Sequence, residues 1–218
     1  QLRRVWKSSR DERELFLSRP NRVDMLQEFY YGTGVSENVV VKINQRVTQV
    51  AQALVASSVW DELGAAGVEL ISYEQFDTFT IDDTSVFAVP DLLFKNSAGQ
   101  WTIVDWKTGE EVEDNQEQVA LYALYVHKKH GAAPEQITAR LEYLSLQTKI
   151  ELGFTQDALQ AVEVAARKSM GAMQDLLIDR ELNIPEPKGS FPLTDSRAQC
   201  PWCNFYELCQ EELELSVS

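Results

Sequence analysis

Between residues 38 and 63 the apolar positions Val40, Ile43, Val47, Val50, Ala51, Leu54 and Val55 recur at helical spacing. They predict one long helix with a broad buried face, and Gly64 and Gly67 fall where it would stop. The pattern then shortens. Val68–Tyr73 and Phe76–Ile81 are rich in β-branched and aromatic residues and predict strands, with Asp82-Asp83 as a turn. Val86–Phe94 and Trp101–Lys107 predict two more strands, joined through residues 96–99 into a hairpin. An acidic loop, Glu110–Asp114, leads into a helix over 115–130. In Ile137–Leu146, Ala139, Leu141 and Tyr143 alternate with Thr138, Arg140 and Glu142, which predicts a partly buried strand. A second long helix is predicted over 156–182. Pro185, Pro187 and Pro192 then read as an extended linker. Ahead of all this, a charged stretch from Arg10 to Gln27 is helical in pattern but interrupted by Pro20, and ends in the aromatic run Phe29-Tyr30-Tyr31. Strands with helices between and around them give an α/β class.

A chain of 218 residues can bury a sizeable core. One domain over 1–218 is expected, with an N-terminal segment (1–37), a core (38–182) and a linker with a cysteine-rich tail (183–218). The chain starts at Gln1 rather than Met, as a processed or trimmed product would. It has no run of 18 apolar residues and no visible signal peptide, so no membrane association is expected and an intracellular setting is. The formal charge of −14 matters more. Non-specific nucleic-acid affinity comes mainly from basic side chains, and here they are dispersed, with small groups at Arg3-Arg4, Lys7–Arg10 and Lys128-Lys129. A nucleic-acid ligand therefore requires segregated surface charge, a partner subunit or a cation that offsets repulsion.

The chemistry concentrates in two short stretches, Phe87–Phe94 and Trp101–Gly109. Asp91 and Asp105 can hold a hard divalent cation through oxygen. Lys107 can orient a water or stabilise charge at a phosphate. Asp105 and Lys107 are two apart in a strand, so both side chains leave the same face. Asp and Lys also sit at the solvated ends of many hairpins; here they terminate an apolar strand. On the following helix Gln118 and Tyr122 are four apart and share a face. They can meet a metal-bound water, a phosphate or a base, or be a surface glutamine beside a packed tyrosine. Cys200, Cys203 and Cys209 have C-x₂-C-x₅-C spacing and read as metal ligands rather than a disulfide framework, with zinc one possible occupant.

In order, Ala88-Val89-Pro90-Asp91, Asp105-Trp106-Lys107 followed by Thr108-Gly109, and Gln118-Val119-Ala120-Leu121-Tyr122 resemble the motifs of the PD-(D/E)xK nuclease superfamily. The layout resembles its RecB-like branch and, with the cysteine tail, the Cas4- and AddB-type iron–sulfur nucleases. The resemblance implies a restriction-endonuclease-like core: a central mixed β-sheet flanked by helices, with a cysteine-rich metal-binding tail. It implies Mg²⁺ or Mn²⁺ held by Asp91, Asp105 and the Trp106 backbone carbonyl, with Lys107, Gln118 and Tyr122 completing a catalytic set. It also implies a structural [4Fe–4S] cluster on Cys200, Cys203 and Cys209, or Zn²⁺ as the alternative. The expected activity is a metal-dependent DNA nuclease, an exonuclease on single strands or duplex ends, in a cytoplasmic or nucleoid setting such as DNA repair or CRISPR processing. The chain departs from the branch in two places. The first core helix has no histidine, so Asn44 or Gln45 would stand in its position. No cysteine occurs between Gln1 and Gln199, so a fourth cluster ligand would lie upstream of Gln1, the fourth site would be non-cysteine or open, or the metal would be zinc. The alternative expectation is a weak or inactive nuclease fold that binds DNA or serves a partner subunit as a scaffold.

Overall fold

The computed structural model describes residues 2–215. In chain order, helices α1 (Leu2–Asp11), α2 (Arg13–Ser18), α3 (Gln27–Tyr30), α4 (Glu37–Val55) and α5 (Val59–Leu63) come first. Strands β1 (Glu69–Tyr73), β2 (Asp77–Ile81), β3 (Thr84–Ala88), β4 (Leu92–Lys95) and β5 (Trp101–Lys107) follow. Next are α6 (Glu113–His130), β6 (Ile137–Tyr143), β7 (Thr148–Gly153) and α7 (Gln156–Gln174). Short strands β8 (Leu177–Asp179) and β9 (Ile184–Pro185) and helix α8 (Tyr206–Leu215) complete the set. The chain forms two compact units, Asn44–Arg180 and Gln1–Ile43 with Glu181–Ser218.

The larger unit is built on a mixed sheet of five strands in the order β1-β4-β5-β6-β7. All neighbours are antiparallel except β5 and β6, which run parallel from Trp101↔Ile137 to Lys107↔Tyr143. Parallel neighbours cannot be joined by a tight turn, and α6 is the crossover between them. Strand alternation divides β5 and β6 between two cores. Ile103, Ala139, Leu141 and Tyr143 pack with Val119, Tyr122 and Ala123 of α6 and Leu159 of α7. Leu92, Phe94 and Val104 on the other face pack with Val59, Leu63 and Val68. The sheet is therefore flanked by helices, as a restriction-endonuclease-like core requires.

Several expectations need correction. The helix over 38–63 is two helices, and its apolar face is not broadly buried: Ile43, Val47 and Val55 are exposed. Periodicity marks a face as apolar without saying that anything covers it. Gly67 does not stop a helix but sits under the β4–β5 turn. Its φ is +79°, and an added Cβ would lie 2.9 Å from that of Ser97. The run Val86–Phe94 is two strands in different sheets. β3 pairs with β2 in a separate hairpin, β4 joins the central sheet, and Val89-Pro90-Asp91 is the break. Proline has no N–H to give a central ladder. β6 is buried almost throughout rather than partly, because β5 and β7 flank it and both its faces are covered. The second long helix ends at Gln174 rather than 182.

In the smaller unit the N-terminal segment and the cysteine tail meet. Trp6 lies edge-on to Phe29, and Tyr31 edge-on to Tyr206, with ring centroids 5.2 and 6.2 Å apart. The Gln27 side-chain amide donates to the Pro201 carbonyl.

Candidate active site

Asp91 sits where the chain enters β4, and Asp105 and Lys107 sit on one face at the far end of β5. Leu92 pairs with Val104, so β4 starts opposite the middle of β5 and leaves the end of β5 beside Asp91. There Asp91 Oδ2 accepts the Trp106 backbone N–H at 2.7 Å. The N–H and C=O of one strand residue point to the same side, so the Trp106 carbonyl also faces the Asp91 edge. Lys107 turns its backbone the other way, and its carbonyl accepts from Leu144 N at 2.8 Å.

The side chains form a chain of contacts. Lys107 Nζ lies 2.7 Å from Asp105 Oδ2 and donates to Gln118 Oε1 at 2.5 Å. That fixes the Gln118 amide, whose Nε2 donates to the Tyr122 hydroxyl oxygen at 2.9 Å. An ammonium has three protons, so one remains for a water or a phosphate oxygen. Burial pushes the Tyr122 phenol above its ordinary pKa, opposed by hydrogen bonds from Gln118 and the Val89 backbone, while Asp105 and Asp91 add to the rise. Tyr122 thus stays protonated through neutral pH and can donate to an anion.

The carboxylates are uncomfortable as they stand. Asp105 is 3% exposed, and the close partner of its Oδ2 is the Lys107 ammonium at 2.7 Å. Burial pushes the Asp91 carboxyl above the usual range. The Trp106 hydrogen bond opposes this, the nearby Asp105 charge reinforces it, Lys107 opposes it, and Glu74 adds a smaller push upward. A buried carboxylate paired with a lysine, beside a second desolvated carboxylate, is an oxygen donor set that suits a hard divalent cation. Among the described residues no three His, Cys, Asp or Glu side chains gather around one point. A cation here would therefore rest on two carboxylates and complete its shell with backbone carbonyl, water or phosphate oxygen. Asp91, Asp105, Trp106, Lys107, Gln118 and Tyr122 come together in this way.

Asn44 and Gln45 do not join them. They line an open groove along α4 with Thr48, Gln49 and Gln52. The cysteines form no disulfide, and Cys203 is exposed while Cys200 and Cys209 are half-buried. Among the described residues they are not gathered as a metal centre.

Two supporting groups escaped the sequence reading. Glu74 ends β1 in the left-handed region (φ +43°), and its N–H donates to the Asp91 carbonyl at 3.0 Å. Glu142 is buried on the opposite sheet face and accepts from Trp106 Nε1 at 3.0 Å and Ser57 Oγ at 2.7 Å. Trp60 stacks on the Trp106 ring at 5.8 Å. Alternation already placed Trp106 and Glu142 on matching faces of their strands; the strand pairing that joins them is non-local.

The family model of the PD-(D/E)XK nuclease superfamily matches residues 3–210. No curated protein matches the chain. The chain belongs to the PD-(D/E)XK nuclease superfamily.

Proposed function

We propose that this chain is a divalent-metal-dependent DNA nuclease that hydrolyses phosphodiester bonds at Asp91, Asp105 and Lys107. The observation that carries the reading is the buried Asp105 carboxylate, 2.7 Å from the Lys107 ammonium and near enough to the desolvated Asp91 for its charge to act on it. Asp91, Asp105 and the Trp106 carbonyl would hold Mg²⁺ or Mn²⁺. When bound, the ion supplies Lewis-acid polarisation of the phosphate and lowers the pKa of a coordinated water. Lys107, fixed by Asp105 and Gln118, aims its remaining proton at the attacking water or at a non-bridging oxygen as negative charge develops. Tyr122, oriented by Gln118, donates to the same phosphate. Attack at phosphorus breaks one P–O ester bond, and the departing oxygen leaves with a proton from solvent.

The finer reading is an exonuclease of the RecB-like branch, acting on single strands or duplex ends. The ordered motifs support it. Cys200, Cys203 and Cys209 are proposed to hold a structural [4Fe–4S] cluster, or Zn²⁺, that pins the tail to the N-terminal segment. Their spacing supports this, together with the Gln27–Pro201 and Tyr31–Tyr206 contacts. The second reading, a DNA-binding or scaffold subunit with a weak site, is favoured by a carboxylate pair that no third acidic, cysteine or histidine side chain joins among the described residues.

Cleavage of end-labelled single-stranded and duplex DNA with Mg²⁺ or Mn²⁺, by anaerobically purified protein, decides between the two. Lys107→Ala is expected to lose about 10²–10³-fold or more in rate, and Asp105→Ala at least as much. Cleavage that persists undiminished in both variants removes the active-site assignment. No cleavage by the parent with either cation leaves the scaffold reading.

A further inference from the structure

The β2–β3 hairpin, with the residue that leads into it, carries an exposed aromatic pair at the end from which the chain runs on to Asp91. Its register, Thr78↔Phe87 and Thr80↔Ser85, puts those four residues on one face, and Asp77, Phe79, Ile81 and Ala88 on the other. The second face is the inward one, with Phe79, Ile81 and Ala88 buried. On the outward face Phe87 meets Phe76, with ring centroids 4.9 Å apart and planes tilted by 40°. Both rings are open to solvent, 63% for Phe76 and 61% for Phe87. Two contiguous phenyl rings left in water are costly, and among the described residues no ring but the other of the pair stacks on either.

The outward face is also uncharged. It offers phenyl rings and the hydroxyls of Thr78, Thr80 and Ser85, in a chain with 34 acidic residues. The hairpin's carboxylates lie at its ends or on its inward face, with exposed Asp83 in the distal turn. Asp77 faces Lys129 and Tyr125, and Asp82, at the distal turn, is held by Arg167. Glu74 lies at the opposite, catalytic end.

The face lies close in the chain to the candidate active site. Phe87 is four residues ahead of Asp91, so the two are within ~14 Å even for a fully extended chain. Phe76 follows two residues after Glu74, whose N–H holds the Asp91 carbonyl. A strand whose phosphate reaches Asp91 and Asp105 has its neighbouring nucleotides within a few nucleotide lengths of the two rings.

We infer that Phe76 and Phe87 form a stacking platform for unpaired bases of single-stranded DNA next to the scissile phosphate, with Thr78, Thr80 and Ser85 donating to its backbone. This deepens the nuclease reading above and rests on it for the strand's path. The occupant follows from charge and shape. A chain of net charge −14 with dispersed basic residues gains little from phosphate neutralisation. Stacking on aromatic rings is a source of affinity that tolerates such a charge and any base sequence. Paired bases hide their faces in the duplex, so the platform selects single strands and frayed ends.

The test is fluorescence anisotropy with a labelled oligodeoxythymidine and a blunt-ended duplex in Ca²⁺, the DNA being checked intact afterwards. The parent is expected to prefer the single strand. Phe76→Ala with Phe87→Ala is expected to weaken that binding by ~10-fold or more, with the slope of log Kd against log salt unchanged. Phe76→Tyr with Phe87→Trp keeps the rings and is expected to restore affinity. Equal affinity in the double alanine variant overturns the inference, as does a loss of affinity accompanied by a flatter salt slope. A change in self-association with DNA binding untouched also overturns it, by assigning the face to a protein. Because binding is read without turnover, a parent that binds through these rings yet cleaves nothing refutes the nuclease reading alone.

Discussion

Asp105 and Glu142 are both buried carboxylates, one on each face of the central sheet, and they live in opposite circumstances. Glu142 has two well-directed donors: Ser57 and the Trp106 indole both donate to its Oε2, and Arg140 approaches Oε1 to 3.8 Å while also bonding Glu62 at 2.7 Å and Glu151 at 3.0 Å. Asp105 has one oxygen without a well-directed donor and a lysine ammonium beside it. A buried charge with all its partners serves the fold, and its value lies in what it holds in place. A buried charge short of partners costs stability, and the deficit points to a ligand that the fold does not itself provide. Trp106 links the two. Its side chain is anchored by Glu142 and Trp60, and its N–H tethers Asp91.

The sharpest way to break the comparison is to exchange the roles. Asp105→Asn removes the desolvated charge and leaves an isosteric amide. It is expected to abolish metal-dependent cleavage, by at least ~10³-fold if the carboxylate carries the cation, while thermal unfolding in EDTA shows no loss of stability. Glu142→Ala is expected to do the reverse. It leaves Ser57 and the Trp106 indole without their acceptor, while Arg140 keeps Glu62 and Glu151, so chemical denaturation should show a loss of about 2 kcal/mol. Cleavage should fall only as far as Trp106 loosens. If Glu142→Ala were neutral to unfolding, the idea that this face serves as the anchor would be lost.

These two faces differ also in how far they could be read from residues alone. Asp105 and Lys107 were legible because strand alternation is local and puts both on one face, and Gln118 with Tyr122 because helical spacing is equally local. The β4–β5 hairpin and α6 were legible for the same reason. The anchor was not. It depends on β5 pairing in parallel with β6, which brings Trp106 beside Glu142 across 36 residues, and no periodicity encodes which strands become neighbours. The break at Pro90 was visible as a residue without an N–H, but the apolar run on either side outweighed it. Strand β7 follows its partner directly, after Gln147 in a left-handed conformation. The turn there lacks the glycine or asparagine that normally advertises such a φ.

A gentler probe acts on Asp91 itself. Its carboxyl titrates above the ordinary value because burial disfavours the charge. A group with a raised folded-state pKa destabilises the native state as pH rises from the unfolded value through the folded one. Without metal, the protein should therefore lose stability from Asp91 across that window and regain it when a divalent cation is added. Asp91→Asn is expected to raise the Tm at neutral pH in EDTA and to remove most of the stabilisation by added Mn²⁺. Cleavage should fall as well. A parent and variant with equal Tm in EDTA would show that Asp91 is not strained.

The smallest effect lies at the other end of α6 and has the opposite sign. Asp77 is held down to about 2, first by the Lys129 hydrogen bond and, against burial, by donors from the Thr78 backbone and Tyr125. Lowering a carboxyl's folded-state pKa stabilises the native state above the unfolded value near 3.8, and this is lost as pH falls through about 2. Side-chain exposures of 41% for Lys129 and 34% for Asp77 mean that solvent screens the pair. Its contribution is therefore held to less than ~1 kcal/mol. Asp77→Asn should flatten the acid limb of a pH–stability curve between those values and leave the neutral limb lower by that small amount. A charge whose partners are complete thus tightens the fold as it ionises, whereas Asp91, in a deficient site, loosens it. If both variants shifted the curve in the same direction, partner satisfaction would not be what separates the site from its frame.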